Sequence, residues 1–335
     1  MKFRIEKNWR WLVALGAMLV PGIVAGAFEL PHTFKAGTPI KASEMNENFA
    51  AIAAKLDAVT TPPLTPQVGT LSLQGGAIGT PIYAFSMDVQ TPFTLAGGAA
   101  KPQFSPIVVR RDVDEKSPGY NLSSNQGKAL VATIVLGNLT IDLDAVHIVG
   151  TAVVAPRAGI PQEELSLTFT RVRWTWQEPD QPELNVDFDL TKAGGSGSAP
   201  STFSFGYFPP GVPTNPVYIP ILGYEHTVAC ASPTTGCKQA HGPVKIRKGV
   251  DASTLAELSQ ALLHKSGVVA SLDWFKDETT VNNSLLLGDV AVTGVTLSTA
   301  PDGALSESAA FAYTTIKWTV GQAEAGWDVA KNGAL

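Results

Sequence analysis

Two cysteines are the residues of this sequence with the clearest capacity for covalent chemistry. Cys230 and Cys237 flank Ala-Ser-Pro-Thr-Thr-Gly, a stretch rich in turn-forming residues. In an oxidising compartment, a disulfide that closes so small a loop would stabilise the fold by about 2–3 kcal/mol on the chain-entropy model. Metal binding is the alternative, but a pair of thiols with no histidine at ligand spacing is a weak site. The sequence therefore predicts a Cys230–Cys237 disulfide.

The other polar residues do not combine into a catalytic pattern. Asp142 and Asp144 lie two residues apart, so on a strand they share one face, where paired carboxylates can bind Ca²⁺ or transfer protons. Alternating aspartates are more often the wet face of a strand. The five histidines include no HExxH motif, and the chain has no GxSxG, P-loop or strand-linked GxGxxG pattern. We therefore predict a non-enzymatic protein with no catalytic residues, no cofactor and no bound metal.

Two tryptophans suit recognition rather than catalysis. Trp174 and Trp176 share one face of a predicted strand, and paired indoles stack on sugar rings or anchor interfaces. Trp174 recurs as Trp318 in a second copy of the same block, which favours a packing role. Trp176 is replaced there by Val320, so Trp176 is the candidate interface residue, with glycan binding as the weaker alternative.

The composition of the chain limits the classes to which it can belong. Its 335 residues are 44% hydrophobic and 16% charged, so a sizeable core is available. The 31 glycines and 24 prolines indicate many turns and therefore many short strands. A net charge of −5 argues against a nucleic-acid partner, because tracking phosphates requires a basic excess. Two cysteines exclude a zinc ribbon, an iron–sulfur cluster and a disulfide-rich scaffold.

The first 27 residues have the pattern of an export signal. Residues 1–11 carry four basic side chains, residues 12–25 are apolar and uncharged, and a small-x-small peptidase site ends at Ala27. An apolar stretch this short, broken by Pro21, is unsuited to spanning a bilayer. We expect cleavage after Ala27, Sec-type export to the periplasm or the exterior, and no membrane insertion afterwards.

The N-terminal lead, 28–66, contains a predicted short oligomerisation helix. Between 42 and 59, apolar residues are spaced alternately three and four apart, which is the spacing of a coiled-coil seam. A run of two threonines and two prolines ends the helix. Docking on the chain's own domain is the alternative to self-association. The seam includes Met45, Phe49, Ile52, Leu56 and Val59.

Four short blocks occur twice in the same order, which is the sign of an internal duplication. The offsets between the copies drift by nine residues at most, and chance rarely gives four ordered matches. The pairs are 81–83 with 216–218, 106–114 with 243–251, 173–175 with 317–319, and 188–190 with 327–329.

The repeat divides the mature chain into two modules. We predict a β-barrel module over 67–193, a flexible Gly/Ser linker over 194–202 and a second β-barrel module over 203–335. Apolar and polar residues alternate in both copies, as half-buried antiparallel strands require. One helix per module is expected, well formed over 254–263 and poorer over 117–126, which contains a proline and a glycine.

The repeated blocks resemble Hcp, the haemolysin-coregulated tube protein of type VI secretion. In that family a basic-x-x-Asp stretch precedes a short helix, a glutamate leads into a basic-Trp-Thr/Tyr strand, and the chain closes on Gly-Trp-Asp. The resemblance covers about 80–193 and 215–332. Its residues are Arg110–Asp114, Glu163–Trp176 and Phe188–Leu190 in the first copy, and Arg247–Asp251, Glu307–Val320 and Gly326–Asp328 in the second.

This resemblance implies a mainly β fold, two tandem Hcp-like barrels with one short helix each, and no catalytic residues. The family forms hexameric rings that stack into tubes. Its members usually have one module and no cleavable signal, so this chain departs from the pattern in both respects. Three two-module chains would supply six modules, and a three-stranded coiled coil from 42–59 would suit that symmetry.

The sequence thus predicts an exported structural protein that forms a homotrimeric, pseudo-hexameric ring or short tube. Other secreted or envelope proteins are further predicted partners. The alternative is a secreted binding module, an adhesin or carrier that recognises an envelope glycan or protein. A secreted hydrolase comes third.

Overall fold

The computed structural model describes residues 47, 66–74, 79–94, 98–157, 159–198, 200–230, 239–264, 267–300 and 302–335. The signal peptide predicted for 1–27 lies outside these residues, and Glu47, which is helical, is the one described residue of the helix predicted for 42–59. The chain divides into units 1–63 and 64–335. The described residues of the second unit are called the first half (66–198) and the second half (200–335).

The described first half is built from strands and one helix. Its elements are β1 (Gly69–Leu73), β2 (Thr80–Gln90), β3 (Phe93–Thr94), β4 (Gly98–Ala99), β5 (Gln103–Phe104), β6 (Ile107–Asp112), α1 (Ser117–Gln126), β7 (Leu130–Leu136), β8 (Leu139–Arg157), β9 (Ile160–Thr168), β10 (Arg171–Trp176), β11 (Leu184–Asp189) and β12 (Gly194–Gly197).

The described second half has a similar order of elements. They are β13 (Thr202–Tyr207), β14 (Ile219–Pro220), β15 (Gly223–Glu225), β16 (Val228–Cys230), β17 (Gln239–His241), β18 (Val244–Gly249), α2 (Ala252–Leu263), β19 (Val268–Phe275), β20 (Val281–Thr299), β21 (Leu305–Ala312), β22 (Thr315–Val320), β23 (Ala323–Asp328) and β24 (Gly333–Ala334).

The strands form because apolar and polar side chains alternate along them. In β6, residues Ile107, Val109 and Arg111 are buried while the residues between them are partly exposed, and β18 repeats this alternation. Successive strand residues point to opposite faces, so each strand places one row of side chains in the core and the other in water. The mainly β architecture and the short helix in each half are therefore confirmed.

Six strands of the first half close into a barrel. β1 pairs with β2, β2 with β6, β6 with β9, β9 with β8, β8 with β7, and β7 returns to β1, all antiparallel. Closure leaves none of these strands with an open edge along its whole length. β10, β11 and β12 continue the sheet outward from β8.

The second half closes in the same order. β13 pairs with β19, β19 with β20, β20 with β21, and β21 with β18. The segment 219–225 completes the ring, since Ile221 N–H donates to Gly206 O at 2.9 Å and Leu222 N–H donates to Arg247 O at 2.7 Å. The two halves differ in their first strand, because β13 is parallel to β19 whereas β1 is antiparallel to β7.

Irregularities in the pairing also recur. β8 and β9 slip by one residue between Ile148 and Gly150, and β20 and β21 slip between Val292 and Gly294. Ala145 in β8 and Asp289 in β20, each three residues before the slip, have positive φ of 47° and 50° and lie in the bulges between β7 and β8 and between β19 and β20. A bulge at the same place in two pairs of strands re-aims both sheets in the same direction.

Both helices end in left-handed backbone, but they begin differently. The side chain of Asp251 accepts a hydrogen bond from Ser253 N–H at the start of α2, in a capping box completed by Thr254. α1 has no side-chain cap hydrogen bond and ends at Gly127, with φ 60°. The weaker helix predicted from sequence over 117–126 is nevertheless formed in full.

The segment predicted as a linker contributes a strand. β12 lies within it and pairs with β11, Phe188 opposite Gly195. A Cβ on Gly195 would collide with the backbone carbonyl of Asp187, so at this position glycine serves the close approach of two strands. Glycine content therefore does not by itself indicate a free joint here.

None of the described helices is long and apolar enough to cross a membrane.

Candidate assembly interface

The two barrels are joined by a strand pair that crosses between the halves. The C-terminal part of β2 lies antiparallel to the C-terminal part of β20, from Ser86 opposite Ser298 to Gln90 opposite Gly294. Met87 faces Leu297 and Val89 faces Val295, and all four side chains are buried. The halves therefore share one continuous sheet and one hydrophobic core.

Helix α2 forms the second part of this joint. It packs against β10, β11 and β12 of the first half, with Leu258 and Ala261 completely buried. Thr91 Oγ1 donates to Ala261 O at 2.8 Å, and Gln260 Nε2 donates to Pro200 O at 2.7 Å. Apolar burial and the hydrogen bond from Thr91 close this interface, while Ser259 Oγ on α2 is buried there without a hydrogen-bond partner.

The corresponding surfaces at the other ends of the two barrels are open. Residues 150–154 of β8, equivalent to the part of β20 that pairs with β2, have β9 on one side and no strand on the other among the described residues. Val153 there is 77% exposed, whereas its counterpart Leu297 is fully buried. Helix α1 contacts β8 of its own half and leaves Leu122 55% exposed.

A buried ion cluster anchors α2 to the second barrel. Lys248 is completely buried, and its Nζ lies 2.7 Å from Glu307 Oε2, 3.0 Å from Asp251 Oδ1 and 3.9 Å from Glu257 Oε1. Thr254 Oγ1 accepts from Lys248 Nζ at 3.1 Å and donates to Glu307 Oε2 at 2.5 Å. One cation thus faces three carboxyl groups.

The first barrel has an equivalent cluster with one carboxyl group fewer. Arg111 is completely buried, pairs with Asp114, and lies 3.1 Å from Glu163, which also accepts from Ser117 at 2.8 Å. Where α2 carries Glu257, α1 carries Tyr120, whose ring centre lies 5.0 Å from the Arg111 guanidinium carbon. The second barrel therefore holds a carboxyl group that the first replaces with an aromatic ring.

The charge excess in the second barrel shifts the pKa values of its members. Burial, followed by the neighbouring Glu307 carboxylate, raises the pKa of Glu257 well above its usual 4.5, against the opposing effect of Lys248. Burial would lower the pKa of Lys248, but the surrounding carboxyl groups raise it above its ordinary value. The cluster therefore favours a charged lysine, and Glu257 keeps its proton to a higher pH than an ordinary glutamate does.

Comparisons with known proteins find structures that resemble this chain at low sequence identity and low TM-score. No family model and no curated protein matches the chain. Among solved structures, a type VI secretion system effector from Yersinia pestis is 16% identical with a TM-score of 0.30, covering 36% of this chain and 98% of its own. Hcp1 from Salmonella typhimurium is 13% identical with a TM-score of 0.31, covering 37% and 97%. A tail protein from Neisseria meningitidis MC58 is 8% identical with a TM-score of 0.35, covering 73% and 96%.

The structure places the predicted interface residue in the core. Trp176 is only 8% exposed, it lies opposite Leu139 and Leu184 in the sheet, and its Nε1 donates to Glu178 Oε1 at 2.9 Å. An interface role for Trp176 stays a prediction, and little of its surface is open to a partner in a single chain.

The other predicted site residues lie outside what the structure describes. These are the side chain of Cys230, all of Cys237, and the seam residues Met45, Phe49, Ile52, Leu56 and Val59. The disulfide and the oligomerisation helix therefore stay predictions. The backbone of Cys230 ends β16, with Gln239 opposite.

Sequence reasoning missed a histidine–tyrosine cluster in the second barrel. His226 Nε2 lies 2.6 Å and His241 Nδ1 lies 3.3 Å from the Tyr313 hydroxyl. Burial lowers the pKa of both histidines, with the other imidazole adding to the effect at His226, and burial raises the pKa of Tyr313. The three residues are far apart in sequence, and the signal that would have found them is an alignment of the two halves position by position.

Proposed function

We propose that this chain is a tandem duplication of an Hcp-like barrel and that three chains assemble into a pseudo-hexameric ring. The protein is then an exported, non-enzymatic structural protein, and its partners are first of all copies of itself. The family part of this proposal is supported by the repeated sequence blocks that resemble Hcp, and one pair of these blocks, 106–114 with 243–251, contains the buried cation of each barrel, Arg111 or Lys248.

The β2–β20 pairing is the observation that carries the assembly. It joins one end of the first barrel to the opposite end of the second, so it is a head-to-tail contact. A head-to-tail contact between equivalent units generates either a closed ring or an open filament when it is repeated. The open edge of β8 at 150–154 and the segment 225–229, which matches residues 86–90 of β2, are the two surfaces that such a repeat would bring together.

Chain-to-chain pairing at these edges would cover what a single chain leaves open. Val153 would be covered as Leu297 is, and α1 would be covered by β22–β24 of the next chain as α2 is covered by β10–β12. Open edges of this kind are sites where another strand adds readily. Under this proposal the helix predicted over 42–59 joins the three chains, and the signal peptide directs them to the periplasm or the exterior.

The mature chain, residues 28–335, is expected to be a trimer. Light scattering after size exclusion measures the absolute mass, and negative-stain images of the same peak are expected to show six-lobed rings. A chain that stays monodisperse and monomeric at micromolar concentration would contradict the ring, and would leave a secreted binding protein as the better explanation.

Val153→Glu is expected to convert the trimer to monomers, because it places a charge where the neighbouring strand would pair. The side chain is exposed in a single chain, so the melting temperature of the monomer should stay unchanged. The matched control is Val131→Glu on β7, which is 48% exposed and away from the β8 edge, and this variant should remain trimeric. Loss of the trimer in both variants, or in neither, would argue against this edge as the joint.

A further inference from the structure

Five ring side chains meet at one end of the second barrel. Tyr313 is almost fully buried, and His226 and His241 are half-buried above it. The ring centres of the two histidines are 6.0 Å apart, and each lies within 6.5 Å of Trp318. Trp327 completes the group, 6.3 Å from His241, and its buried Nε1 has no hydrogen-bond partner.

The first barrel shows that packing alone does not require these residue types. Equivalent residues in the two barrels can be identified from matching strand pairs. Val89 lies opposite Phe104 in the first barrel and Val228 lies opposite His241 in the second, so Phe104 is the equivalent of His241. The Phe104 ring lies 5.5, 6.3 and 5.7 Å from the rings of Phe169, Trp174 and Phe188. The five positions are equivalent in order. The first barrel carries Met87, Phe104, Phe169, Trp174 and Phe188, and the second carries His226, His241, Tyr313, Trp318 and Trp327.

The polar atoms that distinguish the second barrel converge on one point. His226 Nε2 comes from the connection between β15 and β16 and lies 2.6 Å from Tyr313 Oη, and His241 Nδ1 comes from β17 and lies 3.3 Å from the same oxygen. Ligand atoms bonded at about 2.0–2.1 Å to one transition-metal ion lie about 2.9–3.4 Å from each other. The two nitrogen–oxygen separations are therefore within a few tenths of an ångström of those between ligands of one ion.

A neighbouring amide orients one of the imidazoles. Gln239 Oε1 lies 3.3 Å from His241 Nε2 and can only accept, so the Nε2 atom carries the hydrogen. His241 Nδ1 is then left with a free lone pair directed at Tyr313. A histidine that binds a metal through one ring nitrogen usually donates a hydrogen bond from the other ring nitrogen to an acceptor of this kind.

The cluster is reached from two sides. A cavity of about 410 Å³ is lined in part by His241 and Tyr313, and a second of about 360 Å³ is lined in part by His226 and Trp318. Either cavity gives room for an entering ion and for water as a fourth ligand.

We propose that His226, His241 and Tyr313 bind a divalent transition-metal ion of the zinc or copper class. Imidazole nitrogen suits these ions, whereas Mg²⁺ and Ca²⁺ prefer oxygen ligands. Among the described residues no three of His, Cys, Asp and Glu are grouped to hold a metal, so the phenol is needed as the third protein ligand. Binding through the phenolate releases the Tyr313 proton to solvent. The site replaces the prediction of no bound metal and does not depend on the ring.

The test is metal binding to the mature chain, with calorimetry for ZnCl₂ and absorption spectroscopy for CuCl₂. One ion per chain is expected, with a phenolate-to-copper charge-transfer band that Tyr313→Phe abolishes. His226→Met and His241→Phe introduce the residues that the first barrel carries, so both variants should fold, and each should weaken binding at least tenfold. MgCl₂ and CaCl₂ should not bind.

Two controls separate this site from other metal-binding groups. His147→Gln, in the first half, should bind as the wild type does. The double variant Cys230→Ser/Cys237→Ser should also bind normally, since the proposed site uses no thiol. No stoichiometric zinc or copper binding, or binding that is lost with the cysteines and kept in the His226 and His241 variants, would overturn the proposal.

Discussion

Lys248→Met is expected to lower the free energy of unfolding by about 3–5 kcal/mol. Methionine keeps most of the side-chain length but removes the one cation that, among the residues the structure describes, pairs with Glu307 and Glu257. Both carboxyl groups are completely buried, and Glu307 would have to stay ionised without a partner or take up a proton. Urea unfolding of the mature chain at pH 7, followed by tryptophan fluorescence, measures the change.

A matched control lies three residues earlier on the same strand. Lys245 is exposed on β18, so Lys245→Met removes the same charge and should change stability by less than about 0.5 kcal/mol. Adding Glu307→Gln to Lys248→Met should restore part of the loss, because it removes the uncompensated charge. Equal effects of the two lysine variants would show that the buried cluster does not hold α2 to the barrel.

Glu257→Gln is expected to make the protein more stable than the wild type at pH 8 while leaving it close to the wild type at pH 5. The pKa of Glu257 is raised in the folded state above its usual value of 4.5. Between these two pKa values the folded chain binds a proton that the unfolded chain has released, so stability falls as the pH rises. Glutamine has the same shape and no titration, so the variant lacks this loss.

Unfolding free energies of both proteins at pH 5, 6, 7 and 8 give the test, and the difference between them should be larger at pH 8 than at pH 5. The control is Glu324→Gln, an exposed member of an ion pair with Lys317, which should run parallel to the wild type. A constant difference between Glu257→Gln and the wild type from pH 5 to pH 8 would contradict a raised pKa at Glu257.

The sequence allowed the framework of the fold to be predicted because its signals are local. Alternation along a strand such as β18 acts over a few residues and is visible in one dimension. Three of the four repeated blocks fall on strands that are paired alike in the two barrels, β6 and β18 among them, whereas 81–83 lies in β2 and 216–218 forms a turn before β14. Such features depend little on what packs against them.

The missed features depend on neighbours that the sequence does not show. Glu257 lies on an amphipathic helix where a glutamate normally faces water, and it is buried because β21 brings Glu307 beneath that helix. His226, His241 and Tyr313 come together only when the fold places β17 beside the connections that follow β15 and β21. The glycines in 194–197 led to the prediction of a flexible linker. In the structure they allow β12 to lie close to β11, and both a linker and a close approach favour a residue without a side chain.

Helix α2 is covered by strands of the same chain and α1 is not, and this difference determines how the proposed ring would dissociate. The apolar joint around α2 is made within one polypeptide, so its partners are held at high effective concentration and re-form after every local opening. The surface around α1 is more polar and would have to find its partner by diffusion. A ring built from three such chains would have three interfaces within chains, which do not dissociate, alternating with three interfaces between chains, which can. Dilution would therefore release whole two-barrel chains and never a single barrel.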